Sequence, residues 1–240
     1  MAFETPEDFD RASVPELVEL LRDPGFQRRA DAACALGDRL RARELAQLDE
    51  SAREALQGAL EDPVPAVRIE AAIALAEARE TRATQVLLDA MQLRSVRLDA
   101  IRALGTMHDP TAVAPLTRVM TSFWMPWADR LQAAAALCAL SDPAGAAYLE
   151  SKLTSRKTAE RAAAMHFIGE SHHPRARALL EPLLTRATEP LRDVAVRALG
   201  LHGDPAARTA LEAARTTADE ALVADIEHAL ALLAPAGVRP

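Results

Sequence analysis

Residues 62–78 read DPVPAVRIEAAIALAEA, a helix start, one arginine and a run of small apolar residues. With Arg68 as position zero, Val67 precedes it, and Ala71 (+3), Ala74 (+6) and Leu75 (+7) follow. At about 100° per residue these apolar positions share one helix face, which the arginine flanks. The frame recurs at Arg29, Arg97, Arg130, Arg161 and Arg192, and a seventh copy has Val223 in the arginine's place. The anchors are 39, 29, 33, 31, 31 and 31 residues apart. Position +3 is alanine in every copy but the last, which has Ile226, and +7 is leucine everywhere except Ile168. Four copies place glycine at +8 (Gly37, Gly105, Gly169 and Gly200), where it suits a helix C-terminus by entering the left-handed conformation without a Cβ clash.

A second signal lies between the anchors. Pro110, Pro143, Pro174 and Pro205 are 33, 31 and 31 residues apart, and three of them follow Asp109, Asp142 and Asp204. Asp-Pro opens helices, because the aspartate caps free N–H groups and proline fits the first turn. Apolar segments such as TAVAPLTRVM (111–120) and RARALLEPLL (175–184) follow. Each repeat therefore reads as a helical hairpin of 31 residues or so, too small to bury its own apolar face, which must stack on its neighbours.

The pattern D-P…V-R-x-x-A-x-x-A-L-G resembles the HEAT family, and within it the short bilin-lyase type (PBS lyase) of HEAT-like repeat. Asp62-Pro63…Val67-Arg68…Ala74-Leu75 and Val96-Arg97…Ala103-Leu104-Gly105 carry the resemblance, which covers residues 13–234. It implies an all-α fold, a right-handed α-solenoid (superhelix) of about seven HEAT-like hairpins. Residues 1–12 are expected to form an N-terminal cap, with Phe3 and Phe9 available to cover the first hairpin. Residues 235–240, PAGVRP, are expected to be a C-terminal tail. The family's acidic residue six before the arginine is kept at Asp23 and Asp62 but replaced by Met91, Trp124, Ser155 and Arg186. A continuous Asp–Arg ladder is therefore not expected.

Hydrophobic residues make up 50% of the 240, aromatics only 3%, so the core is one of Ala, Leu and Val. Ser13-Val14-Pro15-Glu16 reads as a capping box, and the 39-residue step with Arg39, Arg41 and Arg43 calls for a longer connection or an extra helical turn. Net charge is −7 and pI about 5.4, which disfavours a general nucleic-acid binder. The balance is uneven, with 15 Arg against 21 acidic residues in 1–120, and 11 basic against 7 acidic residues in 152–215. Cys34 and Cys138 sit several repeats apart and read as alanine-like fillers. No apolar run reaches membrane-spanning length and the first residues are acidic, so neither a membrane span nor a signal peptide is expected, and the compartment expected is the cytoplasm.

In HEAT-type stacks, by resemblance, the second helix of each hairpin lines the concave side. Positions +1, +2, +5 and +9 point away from the buried face. Slot +2 gives Asp31, Glu70 and Asp99, an acidic row beside Ile69, Ile73, Leu98, Arg102 and Leu131, while Cys34, His166, Arg197 and His228 share slot +5 with Ile73 and Arg102. This predicts a groove for a partner helix with an apolar face and a basic flank, unless neighbouring repeats cover the +1 residues. A second candidate is Phe123, Trp124, Met125 and Trp127, in the turn of the fourth repeat; they form either a binding anchor or a plug for a wider inter-helix gap.

His108, His172, His173 and His202 fall in turns, and repeats stack about 10 Å apart, far beyond the ~2 Å reach of a metal bond. No metal or cofactor is expected. Deoxyhypusine hydroxylases are similar in fold but carry His-Glu pairs, whereas this chain has only Glu227-His228, reversed and single. HEAT-like alkylpurine DNA glycosylases line their concave face with Trp, Asp and many basic residues. Trp124, Trp127, Asp129 and Arg130 match in part, but lysine is confined to Lys152 and Lys157, and phosphate binding needs a continuous basic track. The expected function is a non-enzymatic cytoplasmic scaffold that binds another protein, with no membrane or nucleic-acid partner. A bilin-lyase-like, chromophore-handling protein is the alternative, and a HEAT-like DNA glycosylase a lesser one.

Overall fold

The computed structural model describes residues 6–186 and 189–233. Phe3 and the tail 235–240 lie outside them. Among the described residues there are helices and turns and no strand. A short helix, α1 (Pro6–Arg11), precedes seven hairpins. Three hairpins are α2 (Val14–Leu20) with α3 (Phe26–Arg41), α4 (Glu50–Ala59) with α5 (Pro65–Glu77), and α6 (Thr84–Ala90) with α7 (Arg97–Met107). The fourth is α8 (Val113–Thr121) with α9 (Trp127–Ala139), followed by α10 (Pro143–Lys152) with α11 (Thr158–Glu170). The last two are α12 (Ala176–Leu184) with α13 (Arg192–His202), and α14 (Arg208–Arg215) with α15 (Glu220–Leu232). The chain forms two compact units that divide inside α8, Met1–Pro115 and Leu116–Pro240. Each is an all-α stack of the solenoid class.

The sequence frame maps onto the core. Every +3 residue, and every +7 residue up to Leu199, is fully buried, whereas Leu230 in the terminal repeat is half-buried. Each first helix contributes one fully buried leucine: Leu17, Leu56, Leu87, Leu116, Leu149, Leu180 and Leu211. Burying each of these is worth roughly 1.5–3 kcal/mol. Asp109, Asp142 and Asp204 accept hydrogen bonds from the backbone N–H two residues on, at 2.9, 2.8 and 2.9 Å. The Ser13 capping box is present, with the Ser13 N–H donating to Glu16 at 2.7 Å. Phe9 is buried, and α1 packs on α3. Arg39 closes the end of α1 by donating to the carbonyls of Phe9, Asp10 and Ala12. The long step is filled both ways, since α3 has 16 residues where α5 has 13, and a turn follows before α4.

The anchor arginines fold back over the turn between their two helices. Arg29, Arg68, Arg97 and Arg161 each donate to the carbonyl six residues earlier, on Asp23, Asp62, Met91 and Ser155, at 2.7–2.9 Å. Arg130 reaches the Met120 carbonyl instead. Where the −6 residue is acidic its side chain also accepts the N–H two residues on, as Asp23 does from Gly25 and Asp62 from Val64, and Asp62 links repeats: Arg29 holds its carboxylate at 2.7 and 3.0 Å and depresses its pKa. Arg192 is buried (6% exposed) and donates to Leu184 in its own hairpin, to the Ala214 carbonyl in the last turn of α14 and to the Thr217 carbonyl just past it. It thereby caps the first helix of the repeat that has Val223 instead of arginine.

The +8 glycines do not end their helices. The second helices run on to +11, where Arg79, His108, Ser141, His172 and Gly203 take positive φ. Gly37, Gly169 and Gly200 instead permit close approach to the next repeat. A Cβ on them would lie 3.1 Å from the Ala74 Cα, 2.2 Å from the Ala198 carbonyl oxygen and 2.9 Å from the Ala229 Cα, each the +6 residue of the following copy. These three glycine-joined pairs, α3–α5, α11–α13 and α13–α15, have the most extensive contacts between successive second helices.

Two substitutions separate packing from propensity. Gly58→Ala, where the added Cβ meets nothing within 4 Å, is expected to raise stability by about 0.5–1 kcal/mol in urea unfolding. Gly169→Ala is expected to lower it by roughly 1–3 kcal/mol despite the better helix propensity. Arg192→Ala strands buried carbonyls in two hairpins and should cost about 2–3 kcal/mol in the same measurement.

Candidate functional site

Two clefts open on the second-helix faces, one in each unit, and both are lined by the outward slots of the repeat. In the first unit a cleft of about 200 Å³ is walled by Cys34, Asp38, Arg41, Glu70, Ile73, Asp99 and Arg102. Four residues expected to form the groove, Glu70, Ile73, Asp99 and Arg102, are thus together. The wall is polar rather than apolar, because Ile69 and Ile73 are each only 8% exposed; Leu98 alone of the expected apolar residues here stands open, at 44%. Leu131, in the second unit, is buried (1%) beneath its neighbours and offers no surface.

Charge in this cleft is graded. Glu77 accepts from Arg41 at 3.0 Å and from Arg102 at 2.7 Å, tying α3 and α7 to α5. Partial burial raises the Glu70 pKa, and the negative charges of Asp99 and Asp38 raise it further. The Cys34 thiol is pushed up to about 12 by burial of its inner side, assisted by Glu70 and Asp38. Burial also raises Cys138, which is enclosed. Neither thiol is poised as a nucleophile.

In the second unit a larger cleft, of about 490 Å³, is lined by Ala162, Ala163, His166, Val194, Arg197, Leu201, His228 and Leu232. Small side chains at +2 (Ala163 and Val194) open its floor, and the +9 leucines Leu201 (41% exposed) and Leu232 (39%) form its rim. Arg197 is held across it by Asp193 at 2.6 Å and Asp225 at 2.8 Å. This apolar cleft lies where the sequence reading had put no groove. The signal for it was present in Ala163 and Val194 at +2 and in Leu201 and Leu232 at +9.

The aromatic turn of the fourth repeat is not a plug. Phe123 and Trp124 are 83% and 90% exposed, pack edge to face at 5.7 Å, and project from the α8–α9 turn. Trp127 is 40% exposed and Met125 half-buried. Asp129 is buried, and Arg130 is spent on the Met120 carbonyl and the Tyr148 ring. The partial Trp–Asp–Arg set therefore does not gather around a shared pocket.

The turn histidines are structural. His173 is fully buried; its Nδ1 accepts the Arg175 N–H at 3.1 Å and its Nε2 faces the Ala146 carbonyl at 3.3 Å. The His172 and His202 rings lie 5.9 Å apart, and burial, then the neighbouring His172, lowers the His202 pKa. Among the described residues no group of three or more His, Cys, Asp or Glu is arranged to hold a metal ion, and no helix is long and apolar enough to cross a membrane.

Comparison with known proteins agrees with this architecture. Residues 14–95 match HEAT repeats and residues 96–122 match the PBS lyase HEAT-like repeat. Protein YibA of Escherichia coli (strain K12) is 32% identical over 115 residues, which are 48% of this chain and 39% of that protein; the match thus spans well under half the length of that curated relative. Among solved structures, a chain of the complex of CpcE and CpcF of phycocyanin lyase from Nostoc sp. PCC7120 superposes with a TM-score of 0.57 at 20% identity, covering 98% of this chain and 99% of that one. Human deoxyhypusine hydroxylase gives a TM-score of 0.41 at 20% identity over 95% and 97% of the two chains.

The Cys34 environment is checked by thiol labelling at pH 8 in a Cys138→Ala background. Cys34 is expected to react with an aromatic disulfide reagent at least about 100-fold more slowly than a free cysteine of pKa near 8.5. Glu70→Gln should speed it.

Proposed function

We propose that the chain is a cytoplasmic, non-enzymatic interaction module that binds a partner protein through its second-helix faces. One observation carries this reading: the second unit keeps an apolar cleft of about 490 Å³ open to solvent and edged by two exposed leucines. Apolar surface left open on a repeat stack suits a partner helix that buries its own apolar stripe there. The acidic cleft of the first unit suits a partner with basic flanks.

A second reading is favoured by the PBS lyase HEAT-like match at 96–122 and by the phycocyanin lyase neighbour. On that reading the chain handles a bilin attached to a partner, and the same apolar cleft receives the chromophore's edge. Adding a bilin and recording its absorbance separates the two, since a scaffold leaves the spectrum unchanged.

Affinity capture from the native cell followed by mass spectrometry tests the module itself. Leu201→Glu with Leu232→Glu is expected to abolish capture of the main partner while far-ultraviolet circular dichroism stays unchanged. Undiminished capture by this variant would refute the second-helix face as the binding surface.

A further inference from the structure

In the second unit the turns that lead into the second helices lie at the opposite helix ends from the Leu201 and Leu232 rim of the cleft. Gly169 meets Ala198 and Gly200 meets Ala229, so α11, α13 and α15 run parallel in matched register, and α9 packs on α11 in the same series. The turns that lead into these second helices therefore lie along one edge of the second unit, spaced by about 10 Å per repeat. The first of them carries Phe123 and Trp124, almost fully exposed.

The charges beside the first three of these turns are mostly basic, whereas the turn into α15 carries the exposed Asp219 and Glu220. The segments 122–127 and 153–157 contain no acidic residue. Arg118 is exposed at the end of α8, Arg156 and Lys157 are exposed in the next turn, and Arg186 is exposed in the one after. Glu160 is buried and takes up Lys157 at 3.0 Å, and Glu189 is half-buried near Arg186. Arg156 has no acidic partner among the described residues. The remainder of the chain is acidic, since the whole carries −7.

We propose that this edge docks on an anionic lipid surface, with Phe123 and Trp124 inserted among the headgroups and Arg118, Arg156 and Arg186 facing the lipid phosphates. The shape argues for a bilayer rather than a protein. Two adjacent aromatic rings at 83% and 90% exposure form a convex tip with nothing built around it; a row of turns along one edge meets a plane, not a groove. Aromatic side chains favour the membrane interface, and basic groups within a Debye length of an anionic leaflet are each attracted to it. The acidic remainder is repelled by the same surface, which fixes the orientation. This departs from the expectation of no membrane partner, and it is independent of the cleft reading, because none of these residues lines a cleft.

Trp124 and Trp127 are the chain's two tryptophans, so its intrinsic emission reports on this turn directly. The full chain is mixed with 100-nm vesicles of phosphatidylcholine containing about 30% phosphatidylserine, and with vesicles of phosphatidylcholine alone, and co-sedimentation and emission are recorded. Binding to the anionic vesicles with a blue shift, weakened severalfold by raising salt from about 0.1 to 0.5 M, is expected. Phe123→Ser with Trp124→Ser should reduce partitioning at least tenfold, and Arg156→Glu with Arg186→Glu severalfold, with helix content unchanged. No co-sedimentation with the anionic vesicles, or co-sedimentation without a shift in emission, overturns the proposal. So does an equal blue shift with a poly-glutamate peptide or a thymidine 30-mer, which would assign the edge to an acidic protein or a single-stranded nucleic acid.

Discussion

A helical hairpin of this length must turn its chain through about half a circle in a handful of residues, and the carbonyls at the end of its first helix then lack partners. The anchor guanidinium supplies them. It starts on the second helix, reaches back over the turn and donates to backbone oxygens, as in Arg68 to Asp62 and Arg161 to Ser155. Arginine suits the task because its planar fork offers five donors that stay charged at any physiological pH. Since the acceptors are main-chain atoms, the turn tolerates Asp, Met or Ser six residues before the arginine. The buried leucines and alanines set which faces meet; the arginine fastens the turn between the two helices of a repeat.

The division of labour explains what could be read from the amino-acid order. The period, the seven hairpins, the buried +3 and +7 positions and the Ser13 capping box were legible, because each follows from residue types at fixed spacings along the chain. The acceptors of the arginines were not, because a carbonyl has no letter of its own. Gly37, Gly169 and Gly200 were legible as special positions but not as packing sites, since the same residue type serves helix ends and close helix approach, and only the neighbouring Ala74, Ala198 and Ala229 distinguish the two. Which outward slots of the second helices stayed open was not legible: Ile73 and Leu131 are buried, while Leu201 and Leu232 remain exposed. Exposure of Trp124 likewise depended on whether a gap existed beneath it.

The two units divide their chemistry. The first presents carboxylates around a thiol that they help to keep protonated, with its arginines consumed by Glu77. The second presents an apolar cleft on one face and an aromatic tip among arginines on one edge. A single repeat pattern produces both, because substitutions at the outward slots and in the turns leave the arginine, the alanines and the leucines of the frame untouched.

Arg192 carries a consequence for how this chain can change length. Repeat arrays grow and shrink by whole hairpins, and an end unit is ordinarily the one most readily lost. Here the last hairpin borrows its clasp from the one before it, since Arg192 is split between Leu184 on one side and Ala214 and Thr217 on the other. Deleting the final hairpin would remove three of the four acceptors of the Arg192 guanidinium, and a further hairpin after the one with Val223 would have no arginine before it to supply the same clasp. A change in hairpin number at this point therefore has to keep the two hairpins that share Arg192 together.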